Sequence, residues 1–245
     1  MNKRMRSSLE KGVRNLSRSL WRQLLERNNV VVYTAIIGGI DKLLPPLFSE
    51  NSVRMVCFSD KKMHNSYGWE LFPAETPFDS PRMNAKRYKI LAHEIFPDAD
   101  YSIWLDGTFQ MALPPREAIM RWLASEDIAM MSHPERTCIY QEAEVCAKMK
   151  KDDPRVLERQ VKKYREEGYP ENFGLVANGV VLRRHTRKIS KLNQAWWEEI
   201  KNHSIRDQVS FNYVAWKLGI NYSLIPGECW NNPIFPYTRH TNKCC

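Results

Sequence analysis

Blocks of apolar and polar positions divide this chain into strands and helices that take turns along its length. Asn29 to Ile37 is a continuous β-branched and aromatic run closed by Gly38 and Gly39, which predicts a fully buried first strand followed by a loop. Val53 to Phe58 predicts a second buried strand, ending in Ser59 and Asp60. Tyr101 to Leu105 predicts a short buried strand between an acidic stretch and Gly107, and Asp106 stands where it stops. Ile128 to Met131, Leu175 to Leu182 and Ile220 to Ile225 complete the strands. The second of these is interrupted by Asn178-Gly179, and a glycine inside a strand marks a bulge or a close backbone approach.

Between the strands the period changes to that of a helix. Pro81 to Phe96 is expected to be helical, with Ser80 as N-cap and Pro81 at the first helical position. Glu117 to Ala124 predicts another helix. After Ser132-His133-Pro134 a loop is expected, carrying Arg136, Cys138, Tyr140 and Glu142. Val156 to Glu167 is a charged amphipathic helix stopped by Gly168 and Pro170, mainly a surface element. A helix with Trp196 and Trp197 follows, and Ser204 is the expected N-cap of the next one. Asp207 and Gln208 then fall in its first turn, where the helix dipole favours an acid even without a function. Residues 229–245 form an aromatic, proline-bearing tail with Arg239, His240 and Lys243. This alternation predicts one α/β domain over residues 29–245, a mainly parallel sheet flanked by helices.

Residues 1–28 read differently. Leu16, Leu20, Trp21, Leu24 and Leu25 recur at helical spacing among Arg14, Arg18 and Arg22, which makes a basic amphipathic helix. Such a helix either docks on the domain or touches an anionic membrane surface peripherally. The interrupting arginines exclude a secretory signal. No apolar run approaches the ~18 residues of a membrane span.

Composition narrows the partners only a little. A net charge of +9 over 245 residues favours anionic ones. Nucleic acid is not expected, because the aromatics fall in core-like segments and are not interleaved with Lys and Arg, so base stacking lacks a platform. The six cysteines show no Cys-x-x-Cys spacing, and free thiols in a reducing cytoplasm are the simplest reading, with disulfides left open by the even count.

Ligands of open α/β sheets bind outside the carboxyl ends of the strands, so Asp60 and Asp106 become candidate binding groups, with turn residues as the plainer alternative. Arg82, Lys86, Lys89 and His93 lie along one face of the 81–96 helix. As a rule such a stripe is a solvated surface; here Arg82 or Lys86 would also reach a diphosphate held near Asp106. The sequence has no G-x-G-x-x-G, Walker A loop, G-x-S-x-G elbow or H-E-x-x-H, so dinucleotide oxidoreductases, P-loop enzymes, α/β-hydrolases and zincins find no support.

The segments YTAIIGGID, VCFSD, SPRMNAKRYKILAHEIFPDADYSIWLDG, SHPERTCIYQEAE, EEGYP and RDQVSF, in this order, resemble a glycosyltransferase-like family long catalogued as a domain of unknown function. That family includes plant proteins linked to seed mucilage and turgor regulation. More distantly, the strand ending in Asp-Gly, the Ala-Asn-Gly in a strand and the Asp-Gln opening a helix are similar to retaining GT-A enzymes of the glycogenin and galactinol synthase kind. The resemblance implies a GT-A-like fold and transfer of a hexose from a nucleotide sugar, a UDP-sugar first, to a glycan or other hydroxyl acceptor. Tyr33, Thr34, Asp60, Arg82, Lys86, Asp106 and Asn178 would bind the donor. Asp207 and Gln208 would join Asp106 in catalysis, with Asp207 near the anomeric carbon, and His133 and Arg206 would meet the acceptor. Asp106 and His240 would hold Mn²⁺ or Mg²⁺, although Asp106-Gly107-Thr108 lacks the second carboxylate of a D-x-D motif. The alternative is a non-catalytic protein of the same fold that binds nucleotide sugar or glycan.

Overall fold

The computed structural model describes residues 25–48 and 50–239, and it has the mixed α/β architecture that the alternation predicts. Seven strands form one sheet: β1 (Val30–Ile36), β2 (Val53–Ser59), β3 (Glu70–Pro73), β4 (Tyr101–Leu105), β5 (Ile128–Ser132), β6 (Val176–Arg184) and β7 (Ser223–Ile225). Their order is β3-β2-β1-β4-β6-β5-β7. Every neighbouring pair is parallel except those made by β6, which runs antiparallel to β4 and β5. Helices α1 (Pro81–Ile90), α2 (Ala92–Ile95), α3 (Pro115–Trp122), α4 (Ile139–Lys148), α5 (Pro154–Glu166), α6 (Arg187–Asn202) and α7 (Asp207–Lys217) flank it.

Both sheet faces are covered, which is why β1 and β4 are buried throughout and mostly apolar rather than alternating. Tyr33, Trp104 and Val181 face Trp196, Phe211 and Tyr213 on the side of α1 and α4 to α7. Val32, Ile103 and Leu182 face Ile119, Leu123 and Phe235 on the side of α3 and the C-terminal tail. The tail runs back along the segment after β4: Ala112 N donates to Ile234 O at 2.8 Å and Thr238 N to Thr108 O at 2.8 Å.

Some expectations need correction. The 81–96 helix breaks at Leu91, whose ψ of 38° ends α1 and opens α2. The segment after His133 is not all loop, since Tyr140 and Glu142 belong to α4. Its buried Ile139, Tyr140, Ala143 and Cys146 do follow helical spacing, but no side chain caps its start. Ser204 is not the N-cap of α7; Arg206 holds that position, while Ser204 Oγ accepts from Arg206 N at 3.1 Å and donates to Asp152 Oδ2 at 2.6 Å. Strand β3 has no sequence signal because all four of its residues are exposed on the sheet edge. The amphipathic helix expected over residues 1–28 lies outside the described residues but for its end, where Leu25 is buried and its carbonyl accepts from Arg116 Nε at 2.9 Å.

The Asn178-Gly179 interruption is both a bulge and a close approach. The β5–β6 register shifts between Met130 and Met131, opposite this dipeptide. A Cβ on Gly179 would stand 2.3 Å from the Phe109 ring, so no larger residue fits there without displacing it. Among the described residues no helix is long and apolar enough to cross a membrane. Cys57, Cys138, Cys146 and Cys229 are free and buried.

Candidate active site

The site starts from how α1 is fixed. Ser80 Oγ accepts from Met83 N at 3.3 Å, Pro81 occupies the first turn, and the Asn84 side chain clasps Phe78 N and O at 3.0 and 2.7 Å. With the start of α1 held, Lys86 and Lys89 project from one face, as their three-residue spacing requires. That face turns inward. Lys86 Nζ lies 2.8 Å from Asp207 Oδ1, and Lys89 Nζ lies 2.9 Å from both Asp207 Oδ2 and Asp106 Oδ1.

A continuous line of alternating charge results: Asp106, Lys89, Asp207, Lys86. The reading of the basic stripe as a solvated surface is thereby corrected for its two lysines, whose side chains are only 14% and 6% exposed. Asp207 is 5% exposed, and Asp106, at 37%, is the member open to solvent. Trp104 Nε1 donates to Asp106 Oδ1 at 2.6 Å, and Trp196 Nε1 donates to Ser210 Oγ at 3.1 Å in the first turn of α7. These indoles fix the carboxylate and the helix end from the core.

Burial raises the proton affinity of Asp207, but the Lys86 and Lys89 ammoniums outweigh it and hold the carboxyl well below the usual carboxylate range. Burial lowers Lys86 to about 8 against the opposing pull of Asp207. Lys89 is moved the other way: burial lowers it, yet Asp106 and Asp207 together raise it above its ordinary value. The asymmetry has a simple cause, since Lys89 has two carboxylates and Lys86 one.

The other expected residues separate into those near this line and those away from it. Arg206 and Gln208 flank Asp207 and join each other through Nη2 and Oε1 at 2.8 Å. Arg206 Nε is buried without a partner. Asn178 lies in the β6 bulge, where Gly179 O accepts from Asp106 N at 2.8 Å. Its side chain is 1% exposed and neither amide atom has a partner, an unmet demand for two hydrogen bonds. Arg82 is exposed at the start of α1, beside Gly38, whose added Cβ would stand 2.6 Å from Pro81.

Three expected binders take structural positions. Tyr33 is fully buried, edge-on to Phe96 and Trp104, with its hydroxyl donating to Lys89 O at 3.2 Å, so it does not face a ligand. Asp60 Oδ2 accepts from Gly38 N at 2.9 Å and pins the turn after β1. His133 is a loop organiser: Nδ1 accepts from Glu135 N and Arg136 N at 3.3 and 3.2 Å, and Nε2 lies 3.6 Å from Glu142 Oε2. Thr34 is 3% exposed, its hydroxyl buried without a partner.

The donor set does not fit a divalent cation among the described residues. No three His, Cys, Asp or Glu side chains come together there, Thr108 is buried where a second carboxylate is needed, and Asp106 Oδ1 is already shared by Lys89 and Trp104. His240 lies outside the described residues.

Lys89 and Trp104 are the two members that the sequence reading missed. Lys89 was visible in the basic stripe, three residues after Lys86, but its burial was not. Trp104 precedes Asp106, the residue just past β4, by two positions, which in extended chain turns both side chains the same way, and that spacing was a usable signal.

The TOD1/MUCI70, glycosyltransferase-like domain matches residues 3–240. The probable hexosyltransferase MUCI70 of Arabidopsis thaliana is 30% identical over 224 residues, covering 80% of this chain and 39% of that protein. The alkaline ceramidase TOD1 of the same plant is 26% identical over 258 residues, covering 89% of this chain and 55% of that one. The chain therefore spans less than two thirds of the length of either curated relative. Among solved structures, mouse xyloside xylosyltransferase 1 in its apo form aligns over 81% of this chain and 84% of its own, at 10% identity and a TM-score of 0.44.

Proposed function

The chain belongs to the TOD1/MUCI70 glycosyltransferase-like domain family, and from that premise we propose that it transfers a hexose from a nucleotide sugar to a hydroxyl of a glycan acceptor. The observation that carries this reading is the Asp106–Lys89–Asp207–Lys86 line at the carboxyl ends of the sheet, with one solvent-open carboxylate at its end.

In this reading Asp106 receives sugar hydroxyls through Oδ2, while Lys89 and Trp104 hold Oδ1. Asn178 supplies the donor and acceptor that its unpartnered amide leaves unused, and Gln208 and Arg206 bound the sugar from the start of α7. Asp207 is an anchor here and not a nucleophile, because an ammonium occupies each of its oxygens. The bond from the anomeric carbon to the diphosphate oxygen breaks, its electron pair leaving with the diphosphate. The acceptor oxygen bonds to that carbon and its proton goes to the departing phosphate. Negative charge grows on the leaving group, and Arg82 and Lys86 are the cations on the donor side that would meet it.

The probable hexosyltransferase is one named relative and the ceramidase another; the strand-end carboxylate and the neighbouring lysines favour the glycosyl reading. The test is calorimetric titration with UDP-, GDP- and CMP-sugars, followed by product analysis with hydroxyl acceptors. Binding of one nucleotide class with transfer supports the proposal. Binding without transfer or hydrolysis assigns the non-catalytic alternative, and no binding by folded protein rejects the donor site.

A further inference from the structure

Arg183, in the middle of the molecule, has no part in the site just described. It stands on β6 opposite Ser102 of β4 and Ile128 of β5, and its side chain is wholly inaccessible to solvent. A guanidinium stays charged at any pH the protein survives, so burial cannot be relieved by losing a proton. Its hydrogen-bond partner among the described residues is the Tyr33 hydroxyl, at 3.3 Å from Nη1. Nε and Nη2, which share one edge of the guanidinium, have none.

The neighbours do not neutralise it. Burial pushes the Tyr33 hydroxyl up to about 12, so it is neutral. His93 and His185 are both lowered, by burial first and with the Arg183 charge adding to it, so they are neutral as well. Carboxylates do act on these histidines, Glu94 Oε1 standing 3.8 Å from His93 Nε2 and Asp100 attracting His185, but neither pairs with Arg183. The C-terminus of α1 offers a partial negative charge only, and its Lys89 carbonyl already receives the Tyr33 hydroxyl. Asn193 Oδ1 and His93 Nε2 are further buried atoms without partners, on side chains joined at 3.3 Å through Asn193 Nδ2 and His93 Nδ1.

We propose that the Nε–Nη2 edge of Arg183 binds a small monovalent anion of the halide class inside the fold, between the sheet and helices α1, α2 and α6. Water would satisfy the two N–H groups but would leave the charge unbalanced in a low-dielectric interior. The enclosure sets the size: a side chain with no accessible surface leaves no opening for a bulky polyatomic anion. Through Arg183 and Tyr33 the ion stands three hydrogen bonds behind the Lys89 carbonyl, so it braces the end of α1 from which the charged line projects.

The whole chain, purified in chloride and desalted into gluconate, is denatured in acid and its released halide measured by ion chromatography. Crystals soaked in sodium bromide are examined at the bromine absorption edge. Stoichiometric chloride and an anomalous peak beside the Arg183 guanidinium are the expected results. Arg183→Met, an apolar replacement of similar length, should carry neither. Chloride absent from native protein, with no bromide peak at Arg183, overturns the proposal, and this result is read on the wild-type chain even if the variant fails to fold.

Discussion

Lys89 Nζ and Asp207 Oδ2 meet at 2.9 Å although 118 positions separate them in the chain. The contact ties α1, which precedes β4, to α7, which follows β6, and it closes over the carboxyl end of the sheet. It also stands between a carboxylate open to solvent and a lysine lowered to about 8, so one ammonium governs the charge of the whole line.

Lys89→Met should therefore do two separable things. Asp207 keeps Lys86 but loses half of its compensation, and removing one partner of a buried pair costs about 3 kcal/mol. Urea unfolding reads this directly. Turnover should fall on the order of 100-fold, since Asp106 loses the group that orients it. The triple variant Lys86→Met, Lys89→Met and Asp207→Leu should regain stability, because no buried charge of the line is left unpaired, while activity stays lost. Recovery of both together would contradict the assigned roles.

Asp106→Asn keeps an oxygen for the Trp104 indole and changes little else in the fold. At 37% exposure its ion pair with Lys89 is screened on one side, so a stability loss of less than about 1 kcal/mol is expected. Transfer should drop by roughly 100- to 1000-fold, as when a preorganised electrostatic contact to a reacting centre is removed. Initial-rate kinetics beside a denaturation curve separates the two effects.

Arg82→Ala is the converse case. The side chain is exposed, so stability should move by no more than about 0.5 kcal/mol. If Arg82 meets the donor diphosphate, KM for the nucleotide sugar should rise clearly, with kcat changed less. An unchanged KM removes Arg82 from the donor site.

Much of this arrangement was legible in the sequence because it rests on local signals. Continuous β-branched runs gave β1 and β4, Ser80-Pro81 gave the start of α1, and Asp106 and Asp207 were marked by where their elements end or begin. What was not legible depends on tertiary contact. A basic stripe looks the same whether water, a diphosphate or two carboxylates face it, so the ion pairs of Lys86 and Lys89 with Asp207 and Asp106 are not visible in it. Tyr33 is expected at the donor from the family resemblance, and only the packing of Phe96 and Trp104 against its ring shows that it lies in the core. His133, expected to meet the acceptor, has backbone N–H groups of its own loop and the Glu142 carboxylate as neighbours, none of which its place in the sequence announces.

Stability should also fall on mild acidification, and His185 supplies a definite window. Burial, aided by the Arg183 charge, lowers its folded-state value to about 4, against an ordinary 6.5 in the unfolded chain. Between these values the unfolded state takes up a proton that the folded state refuses, so acidification favours unfolding. The contribution is intact above pH 6.5, declines as pH falls toward 4 and changes no further below that, with about 3 kcal/mol as its upper size. His93, His133 and His203 are lowered in the same direction and add to the slope. Asp207 contributes elsewhere, because its stabilisation is lost only as pH falls below an unfolded value of 3.8. Urea midpoints measured from pH 7.5 to 4.5 for wild type and His185→Gln should therefore converge as pH falls, the other histidines cancelling in the difference. Parallel curves would show that His185 takes up its proton in the folded chain, which the buried pair with Ser102 Oγ at 2.8 Å and the neighbouring Arg183 argue against.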